Sequence, residues 1–414
     1  MFQLSTIPGE RSEPLQGPGA RGENLSEVSP VRVAVVCDFL EEHWPSMDLV
    51  GDMLTSHLAA SHSGEMSVTQ LRPGLRRRLT RIPGLSEQTA RNADRLVNRF
   101  ADYPVWLRGQ REQFDLFHLV DHSYSQLIHA LPAGRTVVTC HDLDTFRCLL
   151  EPDRETRPRW FRAMARRILE GFRQAAHVLA VSEATRDDLL RHRLFPIEKV
   201  SVVHNGAHPS CSPLPNPAAD AVAADLLPEG DETVWLLNVG STLPRKRLDV
   251  LLRVFAAVRQ KIPKARLVRV GGWFLPEHLQ LAAELGVGPA LLTLPFLERD
   301  VLAAIYRRAA LLLHTAEAEG FGLPLVEAMA CGCPVIASDV AALREVGGPA
   351  ATYCRVGDVD IWTENVARLL LERAHQNRAW ECRRLDAIDQ ARRFSWVENA
   401  RQTARIYRKV LAAC

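Results

Sequence analysis

Short apolar runs alternate with longer stretches in which apolar residues recur every three or four positions. The first run, residues 31–37 (Val-Arg-Val-Ala-Val-Val-Cys), predicts a buried strand. A helical pattern follows, with Leu49, Val50, Met53, Leu54 and Leu58 on one face. Runs at 114–119, 136–140, 178–181 and 200–203 predict further strands, with helical stretches between them, and Ser182 stands where an N-cap belongs. Residues 207–232 break the rhythm: Pro209, Pro213, Pro215, Pro217 and Pro228 among Ala and Asp predict an inter-domain linker. Alternation then resumes. Runs at 234–239, 267–270, 291–294, 311–313 and 334–337 predict strands, and Leu248, Leu251, Leu252, Phe255 and Val258 mark a helix face. Strands alternating with helices predict parallel sheets covered on both faces. Two such series predict an α/β protein of two Rossmann-like, doubly wound lobes, residues 31–206 and 233–390, facing each other across a cleft. Ligands bind at the carboxyl ends of such strands.

Composition changes this picture little. The chain has 414 residues, 47% hydrophobic and 24% charged, with a formal net charge of +2, which gives no general affinity for nucleic acid. Nine cysteines are scattered without a C-x-x-C pair, so neither a disulfide framework nor a zinc site is expected and a reducing cytoplasm fits best. No apolar run approaches the ~18 residues needed to span a bilayer. Residues 1–30, rich in Pro, Gly, Ser and Glu, read as a disordered leader. Arginine is unevenly placed. Arg157, Arg159, Arg162, Arg166 and Arg167 interleave with Trp160, Phe161, Met164, Ile168 and Phe172. That pattern suits a lobe helix with an apolar core face and a solvated basic face. A peripheral contact with anionic lipid at the inner face of the membrane is the alternative.

The chemistry concentrates in residues 319–339. Glu319 is followed by Gly320, Phe321, Gly322, Leu323 and Pro324, and Glu327 comes eight positions after Glu319. The two glycines permit a tight turn, and Pro324 suits the first turn of a helix running to about Ala330 and stopping near Gly332. Strand, glycine loop and helix start together make an anion site, where free N–H groups and the positive dipole end meet a nucleotide diphosphate. Glu319 precedes the helix and faces the cleft; Glu327 lies inside it. Spacing alone leaves open that both are ordinary solvated acids.

This segment resembles the Glu-x7-Glu signature of the family 4 retaining glycosyltransferases of the GT-B fold. Residues 294–306, residues 338–347, and Phe394, Ser395 and Trp396 with Ala400 and Tyr407 extend the resemblance over the second lobe and into a closing helix, 391–414, that crosses back onto the first. It implies a donor sugar near Glu319, a nucleotide ribose on Glu327, a base beside Leu294, and sugar and phosphate on the backbone of Phe321, Gly322 and Leu323. Residues 239–246, with Gly240, Ser241, Arg245 and Lys246, resemble the family's diphosphate clamp. Many members carry Arg where this chain has Ser241, and Arg245 is the candidate replacement. In the first lobe the match is thinner. His141, with Asp142, resembles the family's active-site histidine and would contact the donor sugar. The family's Gly-Gly loop after the first strand is replaced by residues 38–48, where Ser46 at a helix start takes part of that role.

The implied reaction moves a hexose-type sugar from a UDP- or GDP-linked donor to a hydroxyl of a glycan, lipid or small molecule, with retention and without a metal or other cofactor. Lys246, Arg245 and the helix start would stabilise the leaving diphosphate. Asp142 and Asp144 imitate a metal-binding D-x-D, but two acids on a turn are common. The alternatives are a nucleotide-sugar epimerase of the same fold and a non-catalytic nucleotide-sugar-binding or scaffold subunit, which the altered glycine loop and Ser241 would suit.

Overall fold

The computed structural model describes residues 30–81, 84, 86–228, 233–375 and 378–413; the leader, apart from its last residue, lies outside them. Among the described residues twelve strands form two parallel sheets. The first holds β1 (Val31–Val36), β2 (Met66–Leu71), β3 (Leu116–Leu119), β4 (Thr136–Cys140), β5 (His177–Ala180) and β6 (Val200–Val202), in the order β2-β1-β3-β4-β5-β6. The second holds β7 (Val234–Gly240), β8 (Ala265–Gly271), β9 (Leu291–Leu294), β10 (Leu311–His314), β11 (Val335–Ser338) and β12 (Thr352–Cys354), in the order β12-β11-β10-β7-β8-β9. The inner strands are mostly buried and rich in Val and Leu, with helices on both faces, as parallel sheets require.

In the second sheet β7 has β8 on one side and β10 on the other, so the winding reverses between β7 and β10. A crevice opens at that point, outside the carboxyl ends of the strands. The loop after β7 carries Gly240 to Lys246 and the loop after β10 carries Glu319, so the topology itself sets these two segments face to face. In the first sheet the reversal lies between β1 and β3, and β4 ends beside it at His141.

Two expectations are corrected. The stretch 207–232 is not a bare linker. Asn216 caps a helix, Pro217–Leu226, with Pro in its first turn. Ala219, Ala223 and Leu227 enter the second lobe's core, and Asp220 pairs with Arg307 at 2.6 Å. Proline breaks a helix from within but starts one from its first turn, and composition alone does not tell the two apart. The edge strands β2 and β12 add two strands to those the pattern predicted. Edge strands are half exposed, and β2 (Met-Ser-Val-Thr-Gln-Leu) alternates with polar residues instead of forming an apolar run.

The last helix, Trp396–Ala412, packs on the first lobe. Trp396, Ala400, Ala404, Tyr407 and Val410 share a core with Val33, Val35, Leu49 and Leu54. The Tyr407 hydroxyl meets His118 Nδ1 at 2.6 Å, and His118 Nε2 meets Thr139 at 2.7 Å. Burial lowers the His118 pKa to about 3, so this bridge is neutral. The chain thus leaves the first lobe once and returns to it, which tethers the lobes at two points.

Candidate active site

The helix Leu323–Ala330 follows β10 through a loop that Gly322 turns in the left-handed region, at φ 95°. Only glycine adopts that conformation at little cost. The turn leaves the N–H groups of Phe321, Gly322 and Leu323 without a hydrogen-bond partner among the described residues, although Phe321 and Gly322 are buried. Buried amide donors are normally satisfied, so a cluster of three at a helix start is a preformed anion cradle. Across the crevice the N–H groups of Ser241 and Thr242 are likewise unpartnered among the described residues.

Glu319 is the electrostatic centre. Its side chain is 11% exposed, and its Oε2 lies 2.5 Å from Lys246 Nζ and 3.1 Å from His314 Nε2. Burial alone would raise its pKa; Lys246, the His314 bond and Arg245 outweigh that and hold the carboxyl well below the usual range. Burial conversely lowers the pKa of His314, which therefore donates as a neutral imidazole. The pair Lys246–Glu319 closes the crevice that a diphosphate would open.

Arg245 does not stand free beside the Gly240 loop. Its guanidinium reaches the first lobe, 3.2 Å from Asp142 and 2.6 Å from Asp144, and donates to the Ala318 carbonyl at 3.0 Å. The residue expected beside the diphosphate thus also joins the two lobes, and it stays within 3.8 Å of Glu319. Both acids of the D-x-D sequence face this guanidinium, and Asp144 also pairs with Arg147 at 2.5 Å. A pocket of about 100 Å³ adjoins this contact, lined from both lobes by Asp142, Asp144, Arg245, Glu319 and Gly320 among others.

Gly320 completes the seam. A Cβ there would stand 1.6 Å from the His141 carbonyl oxygen, so no other residue permits the approach. Ser182 donates to the Gly320 carbonyl at 2.6 Å while capping its own helix, Glu183–Arg191. Glu345 of the second lobe accepts from the Glu183 N–H at 2.9 Å at the start of that helix and pairs with His204 at 2.6 Å.

His141 Nε2 lies 2.7 Å from the Val120 carbonyl oxygen. A carbonyl only accepts, so Nε2 carries the proton and Nδ1 is a free acceptor, suited to a sugar hydroxyl. Burial lowers the His141 pKa, which keeps that lone pair at neutral pH. Glu327 is 6% exposed and accepts from the Tyr306 hydroxyl at 3.0 Å. Burial pushes its pKa up to about 7 against the Tyr306 bond and the Arg299 charge. Neither glutamate is a solvated surface acid. The Leu294 side chain packs in the core and offers only backbone to a base, whereas Phe296, beyond it, is 54% exposed. Ser46 is exposed in the first turn of the helix Pro45–Ser61, and Arg299 of the second lobe donates to the neighbouring Pro45 carbonyl at 3.3 Å.

Sequence reading missed two groups here. His314, the last residue of an apolar run, is one. The other is the first-lobe floor, where Asp38, Asp121 and His122 are buried. Burial beside Asp121 holds the Asp38 pKa well above the carboxylate range. All three follow or end apolar strands, which was the available signal.

Two family profiles match the chain, one in each lobe: Glycosyltransferase Family 4 over residues 57–210 and Glycosyl transferases group 1 over residues 225–384. Together the two profiles span most of both lobes and identify the chain as a glycosyltransferase. The glycosyltransferase is similar to O-antigen chain mannosyltransferase B of Escherichia coli, 27% identical over 349 residues, covering 80% of this chain and 87% of that protein. Among solved structures it is similar to sucrose-phosphate synthase from Thermosynechococcus elongatus, with a TM-score of 0.69, 20% identity, and coverage of 93% of this chain and 100% of that one. It is also similar to Anabaena HepE in complex with UDP and glucose, with a TM-score of 0.67, 17% identity, and coverage of 91% and 99%. The structural likeness establishes the GT-B fold of two Rossmann-like lobes.

Two outcomes are expected. Gly320→Ala forces the lobes apart at the His141 contact, so sugar transfer falls by about 10²-fold in a folded protein; small-angle scattering should show a larger radius of gyration, and an unchanged radius and rate would refute the contact's importance. The second concerns Glu327. Below ~4.3 both folded and unfolded states are protonated. From there to about 7 the unfolded chain ionises while the folded one keeps its proton, so stability falls as pH rises through that window and levels off above it. Glu327→Gln removes this slope. It should be more stable than the parent by about 1–3 kcal/mol at pH 8, with the gain vanishing toward pH 4.5, in urea unfolding across pH.

Proposed function

We propose that this glycosyltransferase moves a hexose-type sugar from a UDP- or GDP-linked donor to a hydroxyl acceptor, with retention and without a metal. One observation carries the reading: five unpartnered amides, on residues 241, 242, 321, 322 and 323, flank the crevice where Lys246 waits on Glu319. The diphosphate lies between the two loops and draws Lys246 from Glu319, whose freed carboxylate then takes hydroxyls of the sugar. The Glu327 carboxyl holds the ribose, the base meets the 294–296 backbone and the Phe296 ring, and His141 Nδ1 accepts from the sugar on the other wall.

In the transfer step the bond from the anomeric carbon to the diphosphate oxygen breaks, and the acceptor oxygen forms its bond on the same face. The acceptor proton passes to the departing phosphate oxygen. No protein nucleophile is required. Lys246 and the outward amides stabilise the charge gathering on the leaving group, an effect strongest in a site closed to water. The similarity to a mannosyltransferase and to a structure holding UDP and glucose supports a hexosyl nucleotide donor. Acceptors of the glycan, lipid or small-molecule classes are accommodated on the first lobe.

A panel of UDP-, GDP- and ADP-sugars scored by thermal shift tests the donor, since a ligand of the folded state raises Tm by mass action. One member should stabilise the protein and, with acceptor extract, release nucleoside diphosphate. Lys246→Ala should abolish the shift and lower kcat/KM by about 10²–10³-fold. A shift that survives the substitution contradicts the assignment. Binding without release of nucleoside diphosphate supports the scaffold alternative.

The reading extends to a peripheral membrane contact. In the helix Arg159–Phe172, Ala165, Ile168, Leu169 and Phe172 are buried, while Trp160 is 62% exposed. Around Trp160, Arg159, Arg162 and Arg166 form no ion pair among the described residues. Among those residues no helix is long and apolar enough to cross a membrane, so any contact would be interfacial. Vesicles containing phosphatidylglycerol should float the protein and pure phosphatidylcholine vesicles should not. Trp160→Ala should weaken the recovery, and equal recovery on both lipids would retire the contact.

A further inference from the structure

Arg269 lies in β8 between the apolar residues Val268 and Val270 and is 1% exposed. It faces four acceptors. Nη1 donates to Asn238 Oδ1 at 2.5 Å, Nε to the Gly272 carbonyl at 3.0 Å, and Nη2 to the carbonyls of Gly240 at 3.1 Å and Ser241 at 2.8 Å. All four are neutral. No carboxylate pairs with this guanidinium among the described residues, and burial, with no charged neighbour to offset it, brings its pKa down to about 10, so it remains a cation at neutral pH. With Ser241, Lys246 and His314 it lines the narrow crevice between β7 and β10.

A buried cation without a counter-ion is destabilising, and an apolar side chain of similar volume would ordinarily serve better. What Arg269 does for its neighbours explains its presence. A peptide carbonyl and the following N–H point in opposite directions. By drawing the carbonyls of Gly240 and Ser241 inward, Arg269 turns the N–H groups of Ser241 and Thr242 away from itself, and these are the amides left unpartnered. Asn238, which Arg269 orients, in turn donates to the Leu313 carbonyl at 2.8 Å. One arginine therefore ties β8, β7 and β10 together beneath the two loops that face each other.

We infer that Arg269 is the positioning residue for the donor's diphosphate: it fixes the 240–242 turn with its amides outward and supplies from beneath the positive charge that the turn itself lacks. The inference rests on the donor reading proposed above. The anion, when bound, is the counter-ion that the folded chain does not provide.

The test is calorimetric titration of UDP, GDP, uridine, guanosine and inorganic pyrophosphate into the full chain and into Arg269→Met and Arg269→Lys. Arg269→Met should lose tenfold or more in affinity for the diphosphates while nucleoside affinity stays within twofold. Arg269→Lys should approach the parent at pH 6 and fall behind it progressively toward pH 9, because a buried, unpaired ammonium gives up its proton in that range and a guanidinium does not. Equal losses for nucleoside and diphosphate, or no loss, in Arg269→Met would overturn the inference. Should that variant fail to fold, Arg269→Lys decides alone, and a ratio to the parent that does not change with pH overturns it. A parent that binds neither UDP, GDP nor pyrophosphate brings down the donor reading, and this inference with it.

Discussion

A carboxylate that is withdrawn from water needs its charge answered, and Glu319 draws the answer from three directions. Lys246 and Arg245 come from the loop after β7, and His314 from the end of β10. In a site this closed the attraction is weakly screened. It therefore fixes the two loops of the second lobe against each other. Arg245 then extends the same network to Asp142 and Asp144 in the first lobe, and the residue after Glu319 is the glycine that touches the His141 backbone. The state of one acid is thus tied to the relation of the two lobes. On the proposed reading, an anion that took Lys246 from Glu319 would change the balance of the whole seam.

The fold makes this arrangement by topology instead of by local sequence. Each sheet reverses its winding once, and the loops beside the reversal carry the polar groups that have no place in the cores. In the second lobe the reversal between β7 and β10 exposes backbone donors on both walls of one crevice. In the first it gathers Asp38, Asp121 and His122 at the ends of β1 and β3. The last helix closes over the first lobe through Tyr407 and His118 and spans the junction, while Glu345 caps a first-lobe helix from the second. The lobes are thereby joined by polar contacts at the mouth and by a packed helix behind.

Much of this could be read from the chain. The central strands are apolar runs because both their faces are covered, and the helix 323–330 announced itself by Pro324 at its start and Gly332 beyond its end. Glu319, Lys246 and His141 are legible as residues that follow strand ends, where the resemblance to the family's motifs expects them. Other features were not legible, for identifiable reasons. The strand β2 hid because an edge strand is half wet and alternates. The helix Pro217–Leu226 hid behind prolines whose meaning depends on position. The partners of Arg245 across the cleft, Asp142 and Asp144, are not legible either, because the sequence shows only its neighbours in the chain. Arg269 did leave a trace, an arginine between Val268 and Val270, but its acceptors lie in segments about 30 residues upstream and three residues downstream, and only the folded sheet brings them together.

The account turns on Lys246 exchanging Glu319 for a diphosphate. A crystal structure of the protein soaked with UDP or GDP measures that exchange directly. The pyrophosphate should lie between the Ser241–Thr242 and Phe321–Leu323 amides, with Lys246 Nζ on a phosphate oxygen and clear of the Glu319 carboxylate. A nucleotide bound elsewhere, with the Lys246–Glu319 pair still closed at 2.5 Å, would contradict the account.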